Sequence, residues 1–123
     1  MSPVCIGIDA EEVGRFVALL KEPHALKKIY TPNELTYCLP RKNAAQHLAG
    51  RFAAKEAVYK ALAGSPGART LSHLEIEIVR ERSGAPTVLI HRPKLREQKV
   101  LVSISHTKEL AVAIALNLGR VKP

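Results

Sequence analysis

The sequence predicts an α+β domain in which one long helix packs on an antiparallel β-sheet. Through the first half of the chain, apolar residues recur at intervals of three or four, the spacing of one helix face. Beyond a Ser-Pro-Gly loop at 65–67 they recur at every second position, the spacing of a β-strand. Helices followed by a run of strands are typical of the α+β class. At 123 residues the chain can bury one core but not two, so we expect a single domain over 1–123.

The first two predicted elements are a strand and a helix. Residues 4–8 form a short apolar, β-branched run, which we interpret as a buried strand that ends at Asp9. Apolar residues at helical spacing then predict a helix over about 11–20, and Pro23 ends this helix or a short extension of it.

Two more helices follow, and their ends are marked in the sequence. Thr31 begins the first, since it precedes a proline and lies three residues before a glutamate, the pattern of a capping box. This helix stops before Pro40. The long helix begins near Asn43, a good capping residue, and runs to about Ala63, with Gly64 as its C-terminal signal.

The second half of the chain predicts strands joined by tight turns, in a meander or hairpin sheet that carries the long helix. Turns rich in Ser, Gly, Pro, Thr and Lys lie at 83–86 and 107–109. We expect the tail 119–123 to be frayed. The predicted strands cover 74–79, 87–90, 100–105 and 110–116.

Composition excludes several classes of protein. The chain is 46% apolar and 24% charged, which argues against disorder, and no apolar run is long enough to span a bilayer. No secretory signal is visible at the N-terminus, so we expect a cytoplasmic protein that makes no membrane contact. Cys5 and Cys38 lack the spacing of a metal site, and two buried thiols are a simpler interpretation than a disulfide.

The net charge of +8 predicts an anionic partner. A surface with 19 Lys and Arg against 11 Asp and Glu attracts phosphates, nucleic acid, anionic lipid or an acidic protein, and composition does not separate these. The chain has no Trp and only 4% aromatic residues, which argues against nucleic-acid modules that stack bases on aromatic rings.

One carboxylate of the long helix lies at an unusual position. Glu56 falls on the same predicted face as Phe52 and Ala53. A carboxylate there is costly to desolvate unless it pairs with a cation or binds a metal. Lys60, one turn on, supplies a cation, and an ordinary surface pair of Glu56 with Lys60 is the alternative interpretation.

Polar residues also mark the ends of two predicted strands. Asp9 follows the first strand, and with Glu56 it would give two carboxylates from separate elements, a set that suits Mg²⁺. Glu11 could be a third ligand, or it could simply begin the next helix, where negative charge is favourable. Asp9 could equally be an N-cap, and His106, which ends another strand, could equally be a turn residue bonded to local backbone.

Two cations of the long helix are candidates for binding phosphate. Arg51 and Lys55 lie one helical turn apart and could line a phosphate groove. Each could equally be a solvated helix residue.

Four segments form an ordered set of motifs: Ile-Gly-Ile-Asp at 6–9, Leu-Ala-Gly-Arg-Phe-Ala-Ala-Lys-Glu-Ala at 48–57, Lys-Ala-Leu at 60–62 and Val-Ser-Ile-Ser-His-Thr at 102–107. In this order they resemble the holo-acyl-carrier-protein synthase family, the small 4′-phosphopantetheinyl transferases. The resemblance runs from about residue 4 to residue 116. It implies the fold of that family.

The resemblance also implies an activity and an assembly. The family transfers the phosphopantetheine arm of coenzyme A to a serine hydroxyl of apo acyl carrier protein, in an Mg²⁺-dependent reaction that releases adenosine 3′,5′-bisphosphate and serves fatty acid biosynthesis. A homotrimer with active sites between neighbouring subunits is implied too. The acidic carrier protein and the nucleotide would both suit a basic chain.

Site residues are carried over where this sequence matches the family motifs. Asp9 and Glu56 would bind Mg²⁺, and Lys60 would lie beside the pyrophosphate. Glu56 and Lys60 would thus be catalytic, and either Glu56 or a metal-ordered water would accept the proton of the attacking serine.

The substrate contacts implied by the resemblance lie on three elements. Arg51 would hold coenzyme A phosphates together with His106 and Thr107, and the latter two could come from the adjacent subunit. Arg15 would meet acidic residues of the carrier protein.

The chain departs from the family pattern at three places. Relatives often carry another basic residue at the position of Asn43, and the loop 63–67 is less glycine-rich than expected. Glu11, two residues after Asp9, follows a spacing seen in the larger monomeric phosphopantetheinyl transferases.

Two other functions would fit parts of the sequence. A non-enzymatic basic module that binds nucleic acid would explain the charge, but it would explain neither Glu56 nor the strands after the helix. An inactive relative that serves only as a subunit would have no need of Asp9, Glu56 and Lys60.

Overall fold

A computed structural model describes residues 4–120, which form four α-helices and five β-strands. The helices are α1 (Val13–Leu19), α2 (Pro23–Ile29), α3 (Pro32–Cys38) and α4 (Ala44–Leu62). The strands are β1 (Cys5–Glu12), β2 (Ile76–Arg80), β3 (Pro86–Ile90), β4 (Gln98–His106) and β5 (Leu110–Arg120). Short 3₁₀ turns cover Ala68–Thr70, His73–Glu75 and Pro93–Leu95.

The five strands form two antiparallel sheets. One has the strand order β1-β5-β4, and the other is the hairpin of β2 and β3. Helix α4 packs on the three-stranded sheet, which confirms the predicted α+β fold with a long helix on an antiparallel sheet. The N-terminal strand joins β5, and the later strands pair as two hairpins, β2 with β3 and β4 with β5, which is the hairpin alternative of the expected meander or hairpin sheet.

Small residues allow α4 and the sheet to approach closely. On β1, a Cβ atom at Gly7 would overlap the carbonyl oxygen of Ala57, so only glycine fits there. On β5, the side chains that face the helix are the alanines Ala111, Ala113 and Ala115, all buried. This close approach places the end of β1 directly beside α4.

The outer face of the same sheet is apolar and exposed. Ile6 and Ile8 are 64% and 59% exposed, so the expectation of a buried first strand is wrong. Side chains alternate along a strand, and Gly7 takes the inner face, which turns its bulky neighbours outward. Other exposed apolar residues of β4 and β5 are Leu101, Leu110, Ile114 and Leu118.

Helix boundaries differ from the predicted ones at the N-terminal end. Strand β1 continues to Glu12, so α1 begins only at Val13, and Asp9 is a strand residue rather than an N-cap. Pro23 begins α2 instead of ending α1, since proline is favoured at the first helical position. Helix α2 was not predicted as a separate helix.

The two other predicted helices are confirmed. The hydroxyl of Thr31 accepts a hydrogen bond from the Glu34 amide, and Glu34 accepts one from the Thr31 amide, which completes the capping box of α3. Helix α4 ends at Leu62, but Gly64 is not a left-handed cap, because the glycines with positive φ within 4–120 are Gly67, Gly84 and Gly119.

The second half follows the predicted strands with shifted ends. Strand β2 begins at Ile76 because His73–Glu75 forms a 3₁₀ turn, and β5 extends to Arg120. Residues 119–120 are therefore strand, and 121–123, the rest of the tail expected to fray, lie outside the described residues. Cys38 is a buried free thiol, whereas Cys5 on β1 is partly exposed rather than buried. No helix within 4–120 is long and apolar enough to cross a membrane.

Candidate active site

Asp9 lies at the corner where β1 meets α4. Its side chain is 15% exposed, and its Oδ1 lies 3.4 Å from the Lys60 ammonium, which also donates to the carbonyl oxygen of Ile8 at 2.9 Å. The second carboxylate oxygen, Oδ2, is buried and has no hydrogen-bond partner among the described residues. Buried polar atoms are nearly always paired, so this oxygen is open to a ligand or to a proton shared with the neighbouring Glu11 carboxyl.

Glu11 extends the acidic corner formed by Asp9. Burial is the largest of the causes that raise the pKa of Glu11 to about 7. The adjacent Asp9 adds to the rise by hydrogen bonding and by its charge, the Glu56 carboxylate contributes less, and Arg15 opposes it. The negative charges of Asp9 on β1 and of Glu56 on α4 thus both act on Glu11.

A cation at this corner would have few protein ligands. Within 4–120, no set of three His, Cys, Asp or Glu side chains is arranged to hold a metal ion. One or two carboxylates, with water and substrate oxygens completing the coordination, are the usual set for Mg²⁺. The unpartnered oxygen of Asp9 and the mutual repulsion of the carboxylates fit a divalent cation of that kind.

Glu56 pairs with a residue that the sequence analysis did not single out. Its Oε2 lies 3.3 Å from Nε2 of His73, and the predicted pairing of Glu56 with Lys60 is not made, because Lys60 turns to Asp9. Glu56 and His73 border a cavity of about 170 Å³, whose other walls include Tyr59, Leu71 and Ile76. The two partners lie 17 positions apart, and no spacing rule links them.

Lys55 does not line a phosphate groove, and that expectation is wrong. Its ammonium is fully buried, lies 2.7 Å from Glu34 Oε1, and donates to the carbonyl oxygens of His73 at 2.7 Å and Ile76 at 2.6 Å. Burial lowers the pKa of Lys55, and Glu34 opposes this shift. All three donors of the ammonium are occupied, so none is left for a phosphate.

Arg51 belongs to a group of cations around one aromatic ring. Its guanidinium lies 4.1 Å from the centroid of Tyr37, and those of Arg41 and Arg80 lie 3.4 and 5.4 Å from it. Arg51 is buried, and its Nε has no hydrogen-bond partner among the described residues. Three like charges on one ring repel each other unless an anion joins them.

Arg51 and His106 line the same cavity, of about 220 Å³. The rings of His106 and His47 meet edge to face, with their centroids 6.1 Å apart. Burial, followed by the charges of nearby arginines and of His106, lowers the pKa of His47 to about 4. The cavity walls therefore have the charge that a phosphate requires. Further residues that line this cavity are Gln46, His47, Gly50, Arg80 and Pro86.

Thr107 and Arg15 lie at the two edges of the region. The hydroxyl of Thr107 accepts hydrogen bonds from the amides of Glu109 and Leu110 and so shapes the turn between β4 and β5. Arg15 on α1 has a side chain that is 68% exposed, and its Nη1 donates to Glu11 Oε1 at 2.9 Å. Thr107 thus stands beside the basic cavity, while Arg15 is open to an outside partner.

Sequence comparison links the chain to one family. The model of the 4′-phosphopantetheinyl transferase superfamily matches residues 5–115. The chain is 44% identical over 117 residues to the holo-[acyl-carrier-protein] synthase of Protochlamydia amoebophila, covering 90% of this chain and 94% of that protein. It is 43% identical over 117 residues to the synthase of Moorella thermoacetica, with 89% and 90% covered.

Solved structures lead to the same family. The holo-(acyl-carrier-protein) synthase of Bacillus anthracis in complex with CoA (3′,5′-ADP) matches with a TM-score of 0.78 at 36% identity, covering 92% of this chain and 94% of that one. The synthase of Helicobacter pylori in complex with coenzyme A matches with a TM-score of 0.78 at 31% identity, with 91% and 98% covered.

Proposed function

Because the chain belongs to the 4′-phosphopantetheinyl transferase superfamily, we infer that it acts as a holo-[acyl-carrier-protein] synthase. It transfers the 4′-phosphopantetheine group from coenzyme A to a serine hydroxyl of apo acyl carrier protein. The observation in this chain that carries the proposal is the buried, unpartnered oxygen of Asp9 beside Lys60. It marks an acidic corner built to bind something that the chain does not contain.

We propose that Asp9 and Glu56 bind Mg²⁺. The unpartnered Asp9 oxygen supports this assignment, and so does the charge of Asp9, which adds to the effect of burial in raising the pKa of Glu11. The bound ion would neutralise charge on the diphosphate of coenzyme A. Whether Glu11 is a third ligand can be tested with Glu11→Ala. Loss of Mg²⁺-dependent activity in a folded trimer would support that role, and an unchanged Mg²⁺ dependence would dispose of it.

The chain's own residues provide the remaining groups for phosphoryl transfer. The serine oxygen forms a bond to the phosphorus that carries pantetheine, and the bond from that phosphorus to the bridging oxygen breaks, releasing adenosine 3′,5′-bisphosphate. Lys60 would neutralise negative charge as the leaving group departs. Glu56 is a candidate acceptor of the serine proton. Near-normal turnover of Glu56→Gln at saturating Mg²⁺ would exclude both roles of Glu56.

We propose that the basic cavity holds the phosphates of coenzyme A. Arg51 and His106 line it together, and the Arg51 Nε is buried and unpartnered, as expected for a donor that awaits an anion. Thr107 lies at the turn next to His106 and would contribute there.

We propose that Arg15 contacts acidic residues of the carrier protein. Its exposure and the net charge of +8 support this, because a basic surface attracts both an acidic protein and a nucleotide. Salt should therefore weaken the association with the carrier.

We propose a homotrimer with active sites between subunits, in the cytoplasm. The exposed apolar face of the three-stranded sheet supports an assembly, since apolar patches of this kind mark interaction surfaces. Light scattering on Ile114→Glu tests it, because a charge on this face should shift the wild-type assembly toward monomers. A wild-type protein that is already monomeric at micromolar concentration would overturn the proposal.

The decisive experiment is a carrier-labelling assay. The protein is incubated with coenzyme A, Mg²⁺ and an apo acyl carrier protein, and intact-mass measurement follows the phosphopantetheine adduct. We expect labelling that EDTA and Glu56→Gln both suppress. Retention of the protein on DNA with no labelling of the carrier would favour the nucleic-acid module instead.

A further inference from the structure

His73 makes a contact with the active-site corner that neither the sequence motifs nor the proposed mechanism assigns. It lies in the 3₁₀ turn His73–Glu75, outside the motif segments, and its Nε2 lies 3.3 Å from Glu56 Oε2. We infer that His73 is a positioning residue, which holds one oxygen of the Glu56 carboxylate so that the other is left to the cation shared with Asp9. The inference rests on the proposed function.

The direction of the hydrogen bond follows from the chemistry of the two groups. An ionised carboxylate only accepts hydrogen bonds, so Nε2 of His73 must be the donor. A carboxylate has two oxygens, and the bond engages Oε2 alone. Glu56 can therefore keep this bond and still act as a metal ligand through its other oxygen, the arrangement in which outer partners orient metal-binding side chains.

The imidazole of His73 is itself held in place. It stacks on the ring of Phe52, with centroids 5.3 Å apart and planes 26° apart. Phe52 lies one helical turn before Glu56 on α4, so ring and carboxylate are presented by the same helix. Stacking fixes the plane of the imidazole and with it the direction of the Nε2–H bond.

The backbone of His73 is anchored to the same helix. The buried ammonium of Lys55 donates to the carbonyl oxygen of His73 at 2.7 Å, one residue before Glu56 in the chain. The turn is closed by a capping box between Ser72 and Glu75, and Glu75 is bonded by Arg92 at 2.7 and 2.9 Å. The donor therefore comes from a rigid support.

The bond from His73 matters because the Glu56 side chain is otherwise conformationally mobile. Its side chain is 35% exposed, and an unsupported glutamate at such a position samples several rotamers. Removing an outer partner of a metal-binding group costs about 10- to 100-fold in metal affinity or activity. We expect a loss in that range when the His73 donor is removed.

A purely structural role would need only the ring that packs on Phe52. His73→Phe keeps a ring for the stack and removes the donor, whereas His73→Gln removes the ring and keeps an N–H donor at a similar reach. If His73 positions Glu56, the phenylalanine variant is impaired and the glutamine variant recovers most of the loss. A structural role predicts the reverse order.

The matched control is His91→Phe. His91 donates from Nε2 to Glu77 Oε1 at 2.7 Å, so this variant removes a similar bond between a half-exposed imidazole and a carboxylate. Neither residue belongs to the acidic corner or the basic cavity. The control should leave the cation affinity unchanged.

The first measurement is the dissociation constant of Mn²⁺, used as a probe ion, by isothermal titration in the absence of coenzyme A. The second separates kcat from KM for coenzyme A in the labelling assay. We expect His73→Phe to weaken Mn²⁺ binding and to lower kcat by about 10-fold or more, with little change in KM.

The possible failures can be told apart. If the wild-type protein labels no carrier, the proposed function fails. If the wild type labels the carrier and His73→Phe equals it in Mn²⁺ affinity and kcat, the role of His73 is overturned and the function stands. Should circular dichroism show that His73→Phe is unfolded, His73→Gln is compared with His73→Met, which has a similar length and no N–H donor. Equal Mn²⁺ affinity and kcat of that pair would overturn the inference.

Discussion

Lys55 and Lys60 lie five residues apart on α4, but their ammonium groups have very different surroundings. The Lys55 side chain is fully buried and reaches Glu34 at 2.7 Å, and the Lys60 side chain is 55% exposed and reaches Asp9 at 3.4 Å. We call the surroundings of Lys55, Glu34 and Thr31 the buried network, and those of Asp9, Glu56 and Lys60 the open corner.

Partners fill every position in the buried network. Besides the ion pair, Glu34 accepts hydrogen bonds from the amides of Thr31 and Ile78, both at 2.9 Å. The Thr31 hydroxyl in turn donates to Glu77 at 3.0 Å. The capping box of α3 is thereby joined to α4 and β2. A network satisfied in this way has a structural role, because it has no donor or acceptor left for a ligand.

The open corner lacks such completeness. Asp9 Oδ2 is buried without a partner, and Glu11 has a raised pKa. Unmet hydrogen-bonding capacity at a corner reached by solvent points to ligand binding. In this protein a buried charge whose hydrogen bonds are all made has a structural role, whereas one with an unpaired atom belongs to a binding site.

The largest expected effect comes from breaking the buried network. Glu34→Ala leaves the Lys55 ammonium buried without its carboxylate and should lower the free energy of unfolding by about 3–5 kcal/mol. Urea denaturation measures the change. The double variant Glu34→Leu with Lys55→Met should recover only part of it, because the apolar pair removes the unpaired charge but leaves the amides of Thr31 and Ile78 without their acceptor. If Glu34→Ala lowers the free energy of unfolding by less than about 1 kcal/mol, the buried network does not have the structural role assigned to it.

In the open corner, the corresponding change should affect activity and leave stability intact. Lys60→Gln should lower kcat in the labelling assay by about 100-fold or more, as for the loss of one charge-stabilising donor. Its melting temperature should stay close to that of the wild type, since an exposed ion pair contributes at most about 1 kcal/mol. Lys99→Gln, at an exposed position of β4, is the control and should alter neither property. Normal turnover of Lys60→Gln would remove this residue from the mechanism.

A smaller effect, on stability, should come from the Asp9 carboxylate oxygen that has no hydrogen-bond partner. Without Mg²⁺, Asp9→Asn should be more stable than the wild type by about 1 kcal/mol, because the variant replaces a buried carboxylate with a neutral amide and so removes its repulsion of Glu11. Added Mg²⁺ should stabilise the wild type by about 1.4 kcal/mol at ten times its dissociation constant and leave the variant unchanged. Thermal melts with and without Mg²⁺ give both values. Equal stabilisation of the two proteins by Mg²⁺ would contradict binding by Asp9.

The sequence predicts the local features of the fold well and the long-range contacts poorly. Capping at Thr31 and the alternation in β4 and β5 are local, and both are confirmed. The prediction at Pro23 is wrong because proline can follow one helix or begin the next with the same local pattern. The exposure of Ile8 depends on Gly7 facing α4, a contact with a distant segment that no local pattern contains.

The same division holds for the site. Asp9, Glu56 and Lys60 could be singled out because they lie in recognisable motifs. Lys55 lies in the same motif, yet its role depends on Glu34, 21 residues earlier, and on backbone carbonyls beyond the helix. His73 has no motif at all and was missed, because its contact arises only when the 3₁₀ turn folds against α4.

The smallest expected effect concerns the basic cavity, where the side chain of His47 lies among positively charged groups. His47 has its pKa lowered from 6.5 to about 4, first by burial and then by neighbouring cations. Its ring also contacts Tyr37 edge-on at 5.6 Å. The groups whose charges act on its pKa are Arg51, Arg41, His106 and Arg80.

The sign of the pH dependence follows from these values. Between pH 6.5 and 4, His47 is protonated in the unfolded chain but stays neutral in the native protein. The unfolded state is therefore favoured increasingly as pH falls through this window, and His47 lowers the stability of the protein. His47→Gln should therefore lose less stability between pH 7 and pH 4.5 than the wild type, and the two should differ least in pH dependence above pH 7. Urea denaturation at pH 7.5, 6, 5 and 4.5 measures both slopes. Coenzyme A should reduce the difference, because its phosphates would offset the positive charges that exclude the proton. Parallel slopes in the absence of coenzyme A would show that the cavity cations do not act on His47, and the assignment of this cavity to phosphate would lose its electrostatic support.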